Sequence, residues 1–141
     1  MSIRSLRSIV ATQPPTTTAR TATVYEAAQL MKERGKGALL VLDGSKVVGI
    51  FTERDALYRV IAAGRDPATT SVGDVMTPQP QSIHPDEPFL HALRVMHQGG
   101  FRHLPVVEHG RPLGVVSSRD ALDEDLFNFQ MDLEQREGVR E

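Results

Sequence analysis

The strongest constraint on this chain is that most of it is written twice. Displaced by 65 positions, residues 10–57 align with residues 75–122 without a gap. The identities hold one register: Val10/Val75, Thr12/Thr77, Pro15/Pro80, Ala27/Ala92, Met31/Met96, Gly35/Gly100, Leu39/Leu104, Val41/Val106, Gly49/Gly114, and Arg54–Leu57 against Arg119–Leu122. Other pairs exchange like for like, as in Thr52/Ser117, Asp43/Glu108 and Lys46/Arg111. A register kept over this length is the mark of internal duplication. The fold must be one that two copies of a short unit complete together.

Each unit reads the same way. A proline-rich lead-in, TQPPTTTART or TPQPQSIHPDEP, keeps the backbone extended. A helix follows, its apolar face formed by Val24, Ala27, Ala28 and Met31, or by Phe89, Ala92, Leu93 and Met96. Gly35, or Gly99–Gly100, stops that helix. Two apolar runs come next, ALLVL with VVGIF and HLPVV with LGVV, joined by DGSK or EHGR as in a β-hairpin. A last helix opens at Glu53–Asp55 and runs through Ala56–Ile61, and its counterpart opens at Ser118–Asp120. The predicted fold is α+β: two tandem β–α–β–β–α repeats packed through their sheets with pseudo-twofold symmetry. A unit of roughly 50–60 residues is small for independent stability, which is why two must share a core.

The predicted boundaries are a first repeat with an N-terminal arm over 1–64, a connector over 65–74, a second repeat over 75–124 and a helical tail over 125–141. Ile3, Leu6 and Val10 predict a short helix in the arm. In the tail, Leu126, Phe129 and Leu133 form one helical stripe and Phe127 and Met131 another, which predicts packing across the repeats or a dimer partner.

The repeated ending raises the question of chemistry. GIFTERDAL (49–57) and GVVSSRDAL (114–122) each carry an apolar strand into a hydroxyl residue and then, three positions on, an aspartate. Free N–H groups gather where a strand opens into a helix, and the helix dipole there favours negative charge. Thr52 or Ser117 can cap the helix, and Asp55 or Asp120 can accept two hydrogen bonds from a vicinal diol such as a ribose. The same spacing is also that of an ordinary capping box. Both readings stand at the level of sequence.

Composition excludes other classes. The chain has 141 residues, no cysteine and a net charge of −2, so disulfides, thiolate chemistry and a broad basic surface for nucleic acid are all absent. The apolar runs are too short to span a membrane, and MSIRSLRSIV does not read as a secretory signal. A cytoplasmic location is expected. His84, His91, His97, His103 and His109 never stand four apart, so no helical zinc motif is predicted. Phosphate-binding loops and nucleophile elbows are missing, and the glycines read as turn punctuation.

Taken together, DVMT at 74–77, the Ala-x-x-x-Met helix, GFRHLPVV at 100–107 and the glycine–apolar–apolar–Thr/Ser-x-x-Asp ending resemble a tandem pair of CBS domains, the arrangement called a Bateman module. The resemblance covers residues from about 8 to 124. It implies regulatory binding of an adenosine-containing ligand (AMP, ADP, ATP or S-adenosylmethionine) in clefts between the repeats. The family's ribose-binding aspartate falls on Asp55 and Asp120, with Thr52 and Ser117 beside them. Lead-in residues implied to face ribose and base are Thr18, Thr21 and Ala22, and Ser82 and Ile83. Strand-opening residues Gly37 and Ala38, and Arg102 and His103, would lie near base and phosphate, and Arg54 and Arg119 could reach a phosphate. Arg102 and His103 are set opposite Asp120 in this reading, which makes the Asp120 cleft the expected tighter site.

Three functions follow from that reading. The first is a nucleotide-sensing regulatory module in signal transduction, without catalysis or a required cofactor, read by an unknown effector protein through a shift in repeat pose. The second is an interaction module with empty clefts, in which the aspartates are only caps. The third is an enzyme acting on bound nucleotide, for which no base–nucleophile arrangement is visible. The resemblance also implies a homodimer, with Leu57–Ile61 and Leu122–Phe129 as candidate apolar surface.

Overall fold

A computed structural model of the chain describes residues 4–140, so Ile3 of the predicted arm lies outside the described residues. The first half runs α1 (Leu6–Val10), β1 (Thr17–Ala19), α2 (Val24–Arg34), β2 (Ala38–Asp43), β3 (Lys46–Thr52) and α3 (Glu53–Asp55), which continues as π-helical turns over Ala56–Ile61. The second half runs α4 (Val72–Val75), β4 (Thr77–Pro78), α5 (Phe89–Gly99), β5 (His103–Glu108), β6 (Arg111–Ser117), a 3₁₀ turn (Ser118–Asp120) and α6 (Asp123–Arg140). The α+β class and the tandem order are those expected. The opening strand of the second repeat is reduced to one parallel bridge, Ile83 with Val106, close to Pro85, which has no N–H to extend it.

Local signals place the elements. Thr23 caps α2, its hydroxyl accepting from the Glu26 N–H at 3.1 Å. Gly35 and Gly100 end α2 and α5 at φ of 64° and 71°, a conformation that costs glycine little. Ala28, expected on the apolar face of α2, is exposed, and Leu30 packs against the core instead. The hairpins close at Asp43↔Lys46 and Glu108↔Arg111.

The repeats exchange their openings. α1 precedes the first repeat, yet Leu6, Ile9 and Val10 are buried with Phe89, Leu93, Met96 and Leu104 of the second. Reciprocally, Val72, Val75 and Met76 are buried with Val24, Ala27, Leu39 and Phe51 of the first. β4 likewise adds to β3, giving a sheet of order β1-β2-β3-β4 beside the β5-β6 pair. Backbone bonds repeat the exchange, Arg7 N–H to Pro85 O at 2.9 Å and Gly73 N–H to Arg20 O at 2.9 Å. Gly49 and Gly114 allow it. A Cβ on Gly49 would collide with the Met76 side chain, and one on Gly114 would lie 2.8 Å from Val10 Cγ1. These two glycines are close-approach positions rather than turn punctuation.

The two sheets meet where Ala38, Leu40 and Ile50 pack with Val115. The last helices differ. In the first repeat, Ala62 N–H bonds Leu57 O at 2.8 Å, the i to i−5 pattern of a π-helix, and Arg65 N–H bonds Val60 O at 2.9 Å across left-handed Gly64, which closes the helix end. In the second, the chain extends at Ala121 (ψ 130°) before α6 begins, so the predicted tail and the repeat's last helix are one element. Asp125, buried, accepts from the Leu122 N–H at 2.9 Å and pairs with Arg4. α6 lies on α5 through Phe129, edge-on to His97 at 5.5 Å, and through Asp132 paired to Arg94 at 3.1 Å. Leu126 is exposed, with Phe127 and Met131, so the predicted stripe turns only Phe129 and Leu133 inward. Among the described residues no helix is long and apolar enough to cross a membrane.

Candidate functional site

Both strand–hydroxyl–aspartate endings form capping boxes. Thr52 Oγ1 accepts from the Asp55 N–H at 3.2 Å, and Asp55 Oδ2 accepts from the Thr52 N–H at 3.0 Å. Asp120 Oδ2 accepts from the Ser117 N–H at 2.8 Å. The second oxygens differ. Among the described residues, Oδ1 of buried Asp55 meets Thr77 Oγ1 at 3.4 Å and Arg59 Nε at 3.5 Å. Oδ1 of Asp120 accepts a firmer bond, from Gln13 Nε2 at 3.1 Å. A cap therefore occupies one carboxylate oxygen, and only at Asp55 is the other weakly engaged.

Each aspartate lies in a cleft between the repeats, built from one repeat's ending and the other's strand opening. The larger cleft, about 870 Å³, brings Thr52, Arg54 and Asp55 to Arg102 and His103. Tyr58, Arg59, Phe101 and the lead-in residues Thr77, Pro80 and Gln81 complete it. Its wall mixes apolar and aromatic faces with cations and two carboxylates, Glu53 and Asp55. The smaller cleft, about 170 Å³, brings Ser117, Arg119 and Asp120 to Gly37, Ala38 and His103, with Gln13 and Lys36.

This crossing corrects the expected pairing. Arg102 lines the Asp55 cleft, and Gly37 and Ala38 line the Asp120 cleft. The physical reason is that the open ends of the two hairpins face each other, so a strand opening serves the opposite repeat's turn. His103 lines both clefts. Burial, above all, pushes its pKa below the ordinary histidine value, and Glu53 acts against that shift. A neutral imidazole there donates one hydrogen bond from one ring nitrogen and accepts one at the other.

Five implied residues line neither cavity. Thr18 pairs with Val41 in β1, Thr21 is an exposed turn residue, and Ala22 packs on the first core. Ser82 is exposed and Ile83 is buried in the second core, its N–H bonded to Pro105 O at 2.9 Å. The parallel register explains this. β1 first meets β2 at Leu40, past the Ala38 end where the clefts open, so earlier lead-in residues line them. Thr77 could have been found from its identity with Thr12, whereas Gln13, aligned with Pro78, carries no repeat signal.

The histidine spacing concealed one cluster. His84, Asp86 and Glu108 lie close enough to share a cation. Arg7 already supplies that charge, with Nη2 2.9 Å from Asp86 Oδ1 and 2.8 Å from Glu108 Oε2. Its hydrogen bond, before any other influence, holds the Glu108 carboxyl below the usual range.

The CBS domain family model matches residues 6–62 and again 72–126. The CBS domain-containing protein CBSCBSPB3 of Arabidopsis thaliana is 39% identical over 114 residues, covering 80% of this chain and 20% of that protein. The chain thus spans a fifth of that relative's length and about half of another Arabidopsis relative's. A solved protein with CBS domains from Burkholderia ambifaria is 33% identical with a TM-score of 0.75, covering 82% of this chain and 89% of its own. A CBS domain protein from Pyrobaculum aerophilum, complexed with AMP, has a TM-score of 0.80 at 23% identity, covering 92% and 99%.

Proposed function

The chain belongs to the CBS domain family, and from that premise we propose that it is a regulatory, non-catalytic module that binds an adenosine nucleotide in the Asp55 cleft. The observation that carries the reading is the composition of that cleft. About 870 Å³ falls within the ~300–1,000 Å³ that enclose a small organic ligand. Asp55 Oδ1 offers an acceptor to a ribose diol, Tyr58, Phe101 and Pro80 offer faces to a base, and Arg54, Arg102 and His103 offer donors to a phosphate. In the Pyrobaculum protein the same fold holds AMP. Which adenosine nucleotide this chain prefers is set by how many phosphates the three cationic and neutral donors can satisfy. AMP, with one phosphate, matches the convergent pair Arg102 and His103.

Bound nucleotide would touch both repeats at once and so favour one relative pose over another. A partner that contacts only one pose reads occupancy as a change in its own state. The exposed apolar residues Leu57, Tyr58 and Ile61, with Leu122, Leu126 and Phe127, support association with a second copy.

Calorimetric titration with AMP, ADP, ATP and S-adenosylmethionine tests the site. AMP binding should weaken about tenfold or more in Arg102→Ala and in Asp55→Asn, the loss expected for a charge-assisted hydrogen bond. Arg102→Ala leaves the capping box intact, so it separates binding from folding. No heat with any of the four ligands, or unchanged affinity in both variants, would instead establish the module with empty clefts and aspartates that serve only as caps.

A further inference from the structure

We propose that the smaller cleft, around Asp120, is a site for a small oxyanion of phosphate's size and charge rather than a second nucleoside site. The inference is independent of the nucleotide reading, because it rests on how this cleft differs from its repeat-related counterpart. The first difference is volume. About 170 Å³ is well below the ~300 Å³ at which nucleoside-sized sites begin, yet it holds several waters' worth of space. The second is the acceptor. Both oxygens of Asp120 are engaged, Oδ2 by the Ser117 N–H at 2.8 Å and Oδ1 by Gln13 Nε2 at 3.1 Å. The residue aligned with Gln13 in the other repeat is Pro78, which has no side-chain donor. A ribose diol therefore meets a carboxylate here whose two oxygens each already accept a firm hydrogen bond.

The third difference is the wall. Tyr58 and Phe101 flank the larger cleft, and their aligned residues are Asp123 and Lys36, so the smaller one is lined by neither a phenyl nor a phenol ring, and its single ring is the His103 imidazole. Besides the Asp120 carboxylate, the charged groups of this wall are two cations. Lys36 and Arg119 line the cleft from opposite repeats, and neither makes an ion pair among the described residues. Two cations with no ion pair among the described residues share the cleft with one carboxylate whose oxygens each already accept a hydrogen bond. A compact anion between them gains both charge-assisted bonds, with Ser117 Oγ and His103 alongside. Arg119 presents a planar fork and Lys36 a point charge, a combination that suits a tetrahedral oxyanion approached from two sides.

Backbone NMR of the full chain, titrated with inorganic phosphate and separately with sulfate at constant ionic strength, tests the assignment. Saturable shifts are expected at Gly35–Ala38, His103 and Ser117–Asp120, and AMP at saturation should not displace the anion. Lys36→Ala and Arg119→Ala should each weaken the anion about tenfold. Both side chains are exposed, and matched melting curves will show that the variants fold. Three outcomes would overturn the assignment. They are the absence of saturable shifts, shifts centred on Arg54–Arg59 and Arg102, and a second equivalent of AMP that moves Gly35–Ala38. If AMP binds nowhere but phosphate behaves as expected, the nucleotide reading fails and this one stands.

Discussion

At the scale of single residues, one carboxylate can serve a fold and a ligand because its two oxygens are separable acceptors. Asp55 uses Oδ2 for the cap and holds Oδ1 only by long contacts to Thr77 and Arg59, while both oxygens of Asp120 accept firm bonds. His103 carries a pH dependence that follows from its surroundings. Burial holds its pKa down, Arg119 and Arg102 push the same way, and Glu53 and Asp120 oppose them. A histidine depressed in the folded state is protonated first in the unfolded chain as pH falls. Stability is then fully present above about pH 6.5 and is lost as the pH drops from there toward the depressed value. Thermal melts of the wild type should fall more steeply over that window than those of His103→Gln. Equal slopes in the two proteins would remove His103 as the source.

At the scale of elements, the exchange of α1 and α4 ties each repeat's core to the other's lead-in. Neither repeat owns a complete core, since Leu6, Ile9 and Val10 belong to one by sequence and to the other by burial. The contact passes over Gly114, where an added Cβ would lie 2.8 Å from Val10 Cγ1 and 3.1 Å from Gln13 O. Gly114→Ala should therefore cost about 1–3 kcal/mol by overpacking, read by urea denaturation. In a Val10→Ala background the same substitution should cost less, because the opposing side chain has been shortened. An unchanged cost in that background would place the strain elsewhere.

At the scale of the whole molecule, exposed apolar side chains collect on the last helical segments of both repeats. Leu57 and Leu122 are aligned by the duplication, as are Ile61 and Leu126, and all four are about half exposed or more. Phe127, 62% exposed, enlarges that surface. Burying it against a second copy would stabilise association by the hydrophobic effect. Light scattering at micromolar concentration should report a dimer, and Phe127→Glu should shift it toward monomer. A wild-type monomer under those conditions contradicts the self-association.

What could be read from residues alone was set by neighbours along the chain. The hairpins closed by DGSK and EHGR, the helix stops at Gly35 and Gly100, and the Thr52–Asp55 cap depend on local hydrogen bonds and on which φ a residue tolerates. The duplication added the fold, because two incomplete faces must close on each other. Legibility ended where distant segments meet. Arg102 faces Asp55 rather than Asp120, Gln13 reaches across to Asp120, and α1 fills the second core. No spacing encodes these contacts, since aligned repeats look alike along the sequence whichever partner they face. The closure of one repeat on the other decided them, by packing the lead-ins crosswise over Gly49 and Gly114 and leaving two clefts of unequal size.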